Sequence, residues 1–326
     1  MNQETFLKEL AAGLTGLSEL ERSRVLDYYR EMICDGVENG KSEENVIQNF
    51  GSPQDIAEQI LSEYNAPVAQ VQPPVSDAQN YSARNQVGAV IVSAQNTSIQ
   101  IQPVPDGPVR VLFTPSDSDC VTVGEQNGIF TFTHTMKHMF FHWRDIFRGP
   151  HSIVLQIPTA FHGDIRAETC NSKILADNLR GVGSCRFASN NARISVSNTD
   201  CSLMKLKTSN APIHLCNIHG DTCNAVTNNS RITMEGCSFP AQLDLHTSNA
   251  AISIGSTCSE NIILKTANAP ISAMFVGDIR EYAIHSHTSN GQNNLPSDWS
   301  FPGQTKHVSA VTSNSRIDVK FTAANG

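Results

Sequence analysis

One turn recurs through most of this chain. It reads Thr169-Cys-Asn171, Ser189-Asn-Asn191, Thr208-Ser-Asn210, Thr227-Asn-Asn229, Thr247-Ser-Asn249, Thr266-Ala-Asn268, Thr288-Ser-Asn290 and Thr312-Ser-Asn314. Successive asparagines stand 20, 19, 19, 20, 19, 22 and 24 residues apart. A fixed period near twenty belongs to architectures that stack one small unit on the next, and it excludes most other folds.

The unit can be read by aligning the copies on the asparagine. Apolar or small residues sit four before it in Phe187, Leu206, Ala225, Leu245 and Leu264. Isoleucine stands three after it in Ile174, Ile194, Ile213, Ile232, Ile252, Ile271 and Ile317, followed two residues later by another apolar or small side chain. Period-two alternation on both sides of the turn predicts a short strand, a corner and a second short strand. Ala, Ser or Gly follows every asparagine, so the corner is tight. A two-strand coil cannot bury its apolar face alone, whereas stacked coils share one core and pair every strand. Eight coils at the usual strand spacing give a rod roughly 40 Å long. Asn171, Asn191, Asn210, Asn229, Asn249, Asn268, Asn290 and Asn314 are expected to point inward and hydrogen-bond along the stack as a structural ladder.

Composition narrows the function classes. Net charge is −8 with 17% charged residues, which argues against a nucleic-acid partner and its basic face. No apolar run approaches the ~20 residues of a transmembrane helix. The first ten residues lack the basic-then-apolar pattern of a signal peptide. The nine cysteines show no framework spacing and read as free thiols. A cytoplasmic location follows as the expectation, with membrane association only through a partner.

Residues 3–64 carry helical spacing instead. Phe6, Leu7, Leu10, Ala11 and Leu14 form one stripe, and Ser18 with Glu21 suggests a capping box before Val25, Leu26, Tyr29, Met32 and Ile33. Gly36 and Gly40 punctuate the end of that second helix. Ser42 precedes a third, short helix with Val46, Ile47 and Phe50. Ser52-Pro53 starts a fourth bearing Ile56, Ala57, Ile60, Leu61 and Tyr64. The run from Phe6-Leu7 through Glu21-Arg22, Tyr28-Tyr29, Ser42-Glu43-Glu44 and Phe50-Gly51-Ser52-Pro53 to Ile56-Ala57 resembles the HAAS-type helical signalling domain. The repeat region, with Leu155-Gln-Ile-Pro158 ahead of its first coil, is similar to the bacterial putative-adhesin family of β-strand repeats. The HAAS resemblance implies a head that contacts a regulatory or membrane protein, in a cell-envelope stress or transport-linked circuit.

The expected organisation is α + β and multidomain. A helical bundle over 1–64 and a Pro/Gln-rich linker over 65–86 lead into an all-β right-handed solenoid over 87–326, built of ~19–20-residue two-strand coils. Val90, Val92, Asn96, Ile99 and Ile101 predict an atypical first coil that caps the stack. Val109–Phe113, Cys120–Val123 and Ile129–Thr133 predict a meander after it.

Several constellations invite a chemical reading. His134, His138 and His142 at i, i+4 and i+8 would share one helical face, but no Cys or acidic residue supports them at ligand spacing. Met139, Phe140, Phe141, Trp143 and Phe147 in the same 134–151 segment form a candidate docking patch, or a lid over the stack. In His214, Cys216, His219 and Cys223 the coil parity sends Cys223 inward and His214 and Cys216 outward, against a shared metal. Asp164, Asp177, Asp200, Asp221 and Asp244 fall at different offsets from their asparagines, so they do not predict one catalytic cleft. No cofactor motif, metal set or catalytic arrangement is expected. Basic residues flank the corner, two after it in Lys173, Arg193, Arg231 and Arg316 and three before it in Lys207, His246, Lys265 and His287. They suit either a solubilised β surface or contact with an anionic polymer or envelope component. The leading expectation is a non-enzymatic interaction or signalling protein. The alternatives are a surface adhesin or carbohydrate-binding rod, and a degenerate polysaccharide-active enzyme.

Overall fold

The computed structural model describes residues 1–17, 19, 22, 23, 25, 26, 29, 30, 33, 42–48, 50–64, 78–116, 119–136 and 152–322. They fall in two compact units, a helical one within the first 77 residues and a strand-rich one from Ala78 onward.

The helical unit is held by its caps and one small core. Asn2 accepts from the Thr5 N–H at 2.9 Å to start the helix Gln3–Gly13. Ser42 Oγ accepts from Asn45 N–H ahead of Glu43–Gln48, and Ser52 Oγ from Asp55 N–H ahead of Pro53–Tyr64. Phe6, Leu10, Leu14, Val25, Ile33, Val46, Ile47, Ile56 and Ile60 are buried together. The rings of Phe6, Tyr29 and Phe50 meet pairwise at 5.3–5.7 Å between centroids. A Cβ on Gly13 would stand 2.5 Å from Ala57 Cβ, so the first and last helices cross at a point where only glycine fits. The Ser18/Glu21 capping box and Gly36 and Gly40 lie outside the described residues.

In the strand unit each coil gives one strand to each of two sheets, and coils pair in parallel through both. The register is carried by a column of isoleucines running Ile153, Ile99, Ile174, Ile194, Ile213, Ile232, Ile252, Ile271 and Ile317. Every one is 1% exposed or less. Each such burial is favourable by roughly 1.5–3 kcal/mol, and a one-residue slip would turn the whole column to solvent. The other sheet presents Val92, Ala167, Phe187, Leu206, Ala225, Leu245, Leu264 and Ala310 to the same core. Ile194–Lys207 runs unbroken from one sheet into the other, so consecutive coils share a strand there.

The ends depart from the sequence-based order. The coil of Ala89–Ala94 and Ser98–Val104 is not terminal, because Ile129–Met136 and Ser152–Pro158 pair in parallel on its outer side. The expected meander divides: Arg110–Phe113 pairs antiparallel with Ser152–Pro158 in one sheet, and Asp119–Gln126 with Ile129–Met136 in the other. The expected linker ends early, since Gln79–Ser82 forms a strand against Arg110–Phe113. At the far end Lys306–Thr312 lies between Asn261–Lys265 and Tyr282–Thr288, so the last coil in sequence is the penultimate layer in space. The chain passes outward through 282–295, folds Asp298–Trp299 back as an antiparallel edge and returns inward. Antiparallel strands close both sheets at the first end and one sheet at the far end, where the other sheet ends on the parallel strand Ile317–Thr322, and an antiparallel edge is not the one a further parallel coil would need.

Candidate functional site

The asparagine corner is the most regular feature of the surface. Asn171 Nδ2 donates to Asn96 Oδ1, and the same bond repeats from Asn191, Asn210, Asn229, Asn249, Asn268, Asn314 and Asn290 to the preceding layer, at 2.6–2.9 Å. All the amides donate in one direction, toward Asn96, so their dipoles add along the row. The amides do not point inward as the strand parity suggests. Asn191 through Asn314 are exposed, and the inward position belongs to the Thr or Ser two residues earlier. Thr169, Ser189, Thr208, Thr227, Thr247, Thr266 and Thr312 are buried, and their hydroxyls bond to backbone carbonyls of the adjoining coil, as Thr247 Oγ1 does to Ser230 O at 3.0 Å. The strand ends at that hydroxyl, and the two residues of turn that follow swing the asparagine to solvent.

A second row lies at the opposite corner, seven residues after the first. Asn178, Asn198 and Asn217 have φ of 57°, 47° and 55°, Gly236 has 62° and Ser256 has 40°. Here the requirement is the left-handed backbone, which Asn and Gly tolerate. Side-chain bonds continue only in part, with Asn217 Nδ2 to Asn198 Oδ1 at 3.1 Å and Asn198 Nδ2 to Asp177 Oδ1 at 3.0 Å. The spacing of Asn178, Asn198, Asn217 and Gly236 is visible in the sequence, and only its mixed residue types hide it.

Cations flank the first corner. Lys173, Arg193, Lys207, Arg231, Lys265 and Arg316 are exposed and make no ion pair among the described residues. Arginines elsewhere are engaged, Arg166 with Glu168, Arg180 with Asp200 and Arg280 with Asp278. His214, half-buried on this side and bonded to Thr233 Oγ1, has its pKa lowered by burial and then by the charges of Arg193 and Arg231.

The other constellations separate. His134 lies in the strand Ile129–Met136 rather than on a helix, is 2% exposed, and bonds through Nε2 to Asp119 Oδ1 at 2.8 Å. His138, His142 and the docking residues Met139, Phe140, Phe141, Trp143 and Phe147 lie outside the described residues. Cys216 is exposed and Cys223 fully buried, its thiol pKa pushed well up by burial. Burial also raises the Cys237 thiol to about 11. The carboxylates are spent locally: Asp164 accepts from Ser184 Oγ at 2.6 Å, Asp177 from Ser197 Oγ at 2.6 Å, and Asp200 pairs with Arg180. No helix of the described residues is long and apolar enough to cross a membrane.

These features define a two-part protein, a small helical unit and a unit of parallel coils with a polar corner ladder. The helical part has a family: residues 5–59 match the HAAS family model, and the head is a HAAS domain. The chain matches no curated protein. Among solved structures it is similar to a putative cell adhesion protein from Clostridium sporogenes ATCC 15579, with TM-score 0.28 and 6% identity over 76% of this chain and 99% of that one. A putative adhesin from Bacteroides fragilis NCTC 9343 gives TM-score 0.33 and 8% identity over 75% and 96%. Scores this low carry no weight for the fold, which stands on the strand register.

Proposed function

We propose that this chain is a non-enzymatic interaction protein in which the HAAS head contacts a regulatory or membrane-associated protein and the coil stack is a rigid binding scaffold. The observation that carries this reading is the pairing of a HAAS domain with a stack whose recurring Thr and Asn side chains bond to the backbone and to one another, a structural rather than a catalytic use. A cell-envelope stress circuit is the setting that the HAAS head suggests. The organisation proposed is a head over 1–64, a linker, and the stack as the remainder. A second reading, a carbohydrate-binding or adhesin rod, is favoured by the exposed amides of the corner.

Photo-crosslinking from exposed head positions Glu4, Lys8, Gln54 and Glu58 of the full chain in cells tests the first reading. Adducts with one regulatory or membrane protein, mapped to the head, are expected. Adducts confined to the stack would contradict it.

A further inference from the structure

The charge around the asparagine corner is distributed in a way that neither solubility nor edge protection requires. In spatial order, the layers from 164–177 outward carry Lys173, Arg193, Lys207, Arg231, His246, Lys265, Arg316 and His287. Each layer has a cation or imidazole on one flank of the corner or the other, and the layer of Asn210 adds His214. Within the eight residues of each layer from three before the asparagine to four after it, the only carboxylates are Glu168 and Asp318. Glu168 is held by Arg166 at 2.6 Å and Asp318 lies 3.8 Å from Lys320, while Asp244, just outside that window, lies 2.6 Å from His246 and occupies that layer's imidazole. The protein as a whole is acidic, at −8. Charges that block edge pairing belong on the end layers, whereas these recur in the middle of the stack, where every strand is already paired on both sides.

The ladder itself supplies the second half of a recognition surface. Each exposed amide uses one Nδ2–H and one Oδ1 lone pair within the row, leaving one donor and one acceptor facing solvent in every layer. Layers repeat at roughly 4.8 Å, the strand spacing, and a sugar ring in an extended chain advances by a similar distance. Donor and acceptor pairs suit sugar hydroxyls, and a Lys or Arg in six of the eight layers suits carboxylates carried on the sugars beside them. Polyphosphate carries charge but has no hydroxyl to meet the free amides.

We propose that the asparagine corner is a binding strip for an extended acidic polysaccharide with a carboxylate on each sugar, the chain lying along the ladder. The proposal deepens the scaffold reading and rests on it.

The test measures binding of full-length protein to a uronic-acid homopolymer at low salt, beside a neutral glucan, an alternating polymer with one carboxylate per two sugars, polyphosphate and a single-stranded oligonucleotide. The homopolymer is expected to bind most tightly. Changing Lys173, Arg193, Lys207, Arg231, Lys265 and Arg316 together to Gln is expected to weaken it by about tenfold or more, since six exposed cations of modest individual effect are removed at once. An equal charge change at Lys8, Arg84, Arg110, Arg180, Arg280 and Lys306 should leave affinity nearly unchanged. Equal loss in both variants, absence of binding by folded wild type, or tighter binding of glucan, alternating polymer, polyphosphate or oligonucleotide would each overturn the proposal. Failure here beside intact crosslinking by the head removes the polymer and leaves the partner reading standing.

Discussion

The two corners of the coil solve the same steric problem by different means. At the first, Asn191 through Asn314 hold ordinary backbone angles and are linked through their side chains, so the amide itself is required. At the second, Asn178, Asn198, Asn217 and Gly236 share a positive φ, so backbone freedom is required and the amide is secondary. One corner selects a functional group and the other selects a conformation. That difference decides which substitutions each will tolerate.

The largest expected contrast comes from the first corner. Asn210→Ala with Asn229→Ala removes three ladder bonds and should destabilise the protein by about 3 kcal/mol in urea denaturation, at roughly 1 kcal/mol per bond. Each single change removes two bonds, one of them shared, so the double mutant should fall short of additivity by about 1 kcal/mol. Strict additivity would show that the amides act independently. Next comes the second corner, where Asn217→Ala should cost about 1–2 kcal/mol at φ 55° while Asn217→Gly is near neutral. Asn229→Gly, by contrast, should be no better than Asn229→Ala, and rescue by glycine there would erase the distinction between the corners. Thr247→Val keeps the shape of the buried column and loses the one hydroxyl proton that Ser230 O accepts at 3.0 Å, with Asn228 O at 3.4 Å, for about 1 kcal/mol.

The smallest effect is in pH. His214 has a folded pKa below its ordinary value, so the unfolded chain binds the proton more readily. Its contribution to stability is present above about pH 6.5 and is lost as pH falls from there through the folded pKa. His214→Gln should flatten that part of the stability profile. A profile unchanged between wild type and variant would contradict the shift.

How much of this was legible in sequence follows the same division. The isoleucine column could be read because one residue type repeats at a fixed parity within a strand. The direction of the asparagines could not, because parity holds along a strand and is lost once Thr208 ends it and Ser209-Asn210 turn. The second corner is hidden in the sequence because Asn, Gly and Ser share a conformation there rather than a chemistry. The exchanged order of 282–295 and 306–322 was hidden because strand pairing depends on which layer has an open edge, a property of the assembled stack. His134 found its acidic partner in Asp119 only across a hairpin, where no helical or metal spacing would look.

Hydrogen exchange of the side-chain amides tests the outward ladder most directly. With asparagine-selective 15N labelling, one of the two Nδ2 protons of Asn191, Asn210, Asn229, Asn249 and Asn268 should exchange well below the rate of Asn190 and Asn228, which are exposed beside the ladder but outside it. Exchange of both protons at the rate of those neighbours would contradict a ladder.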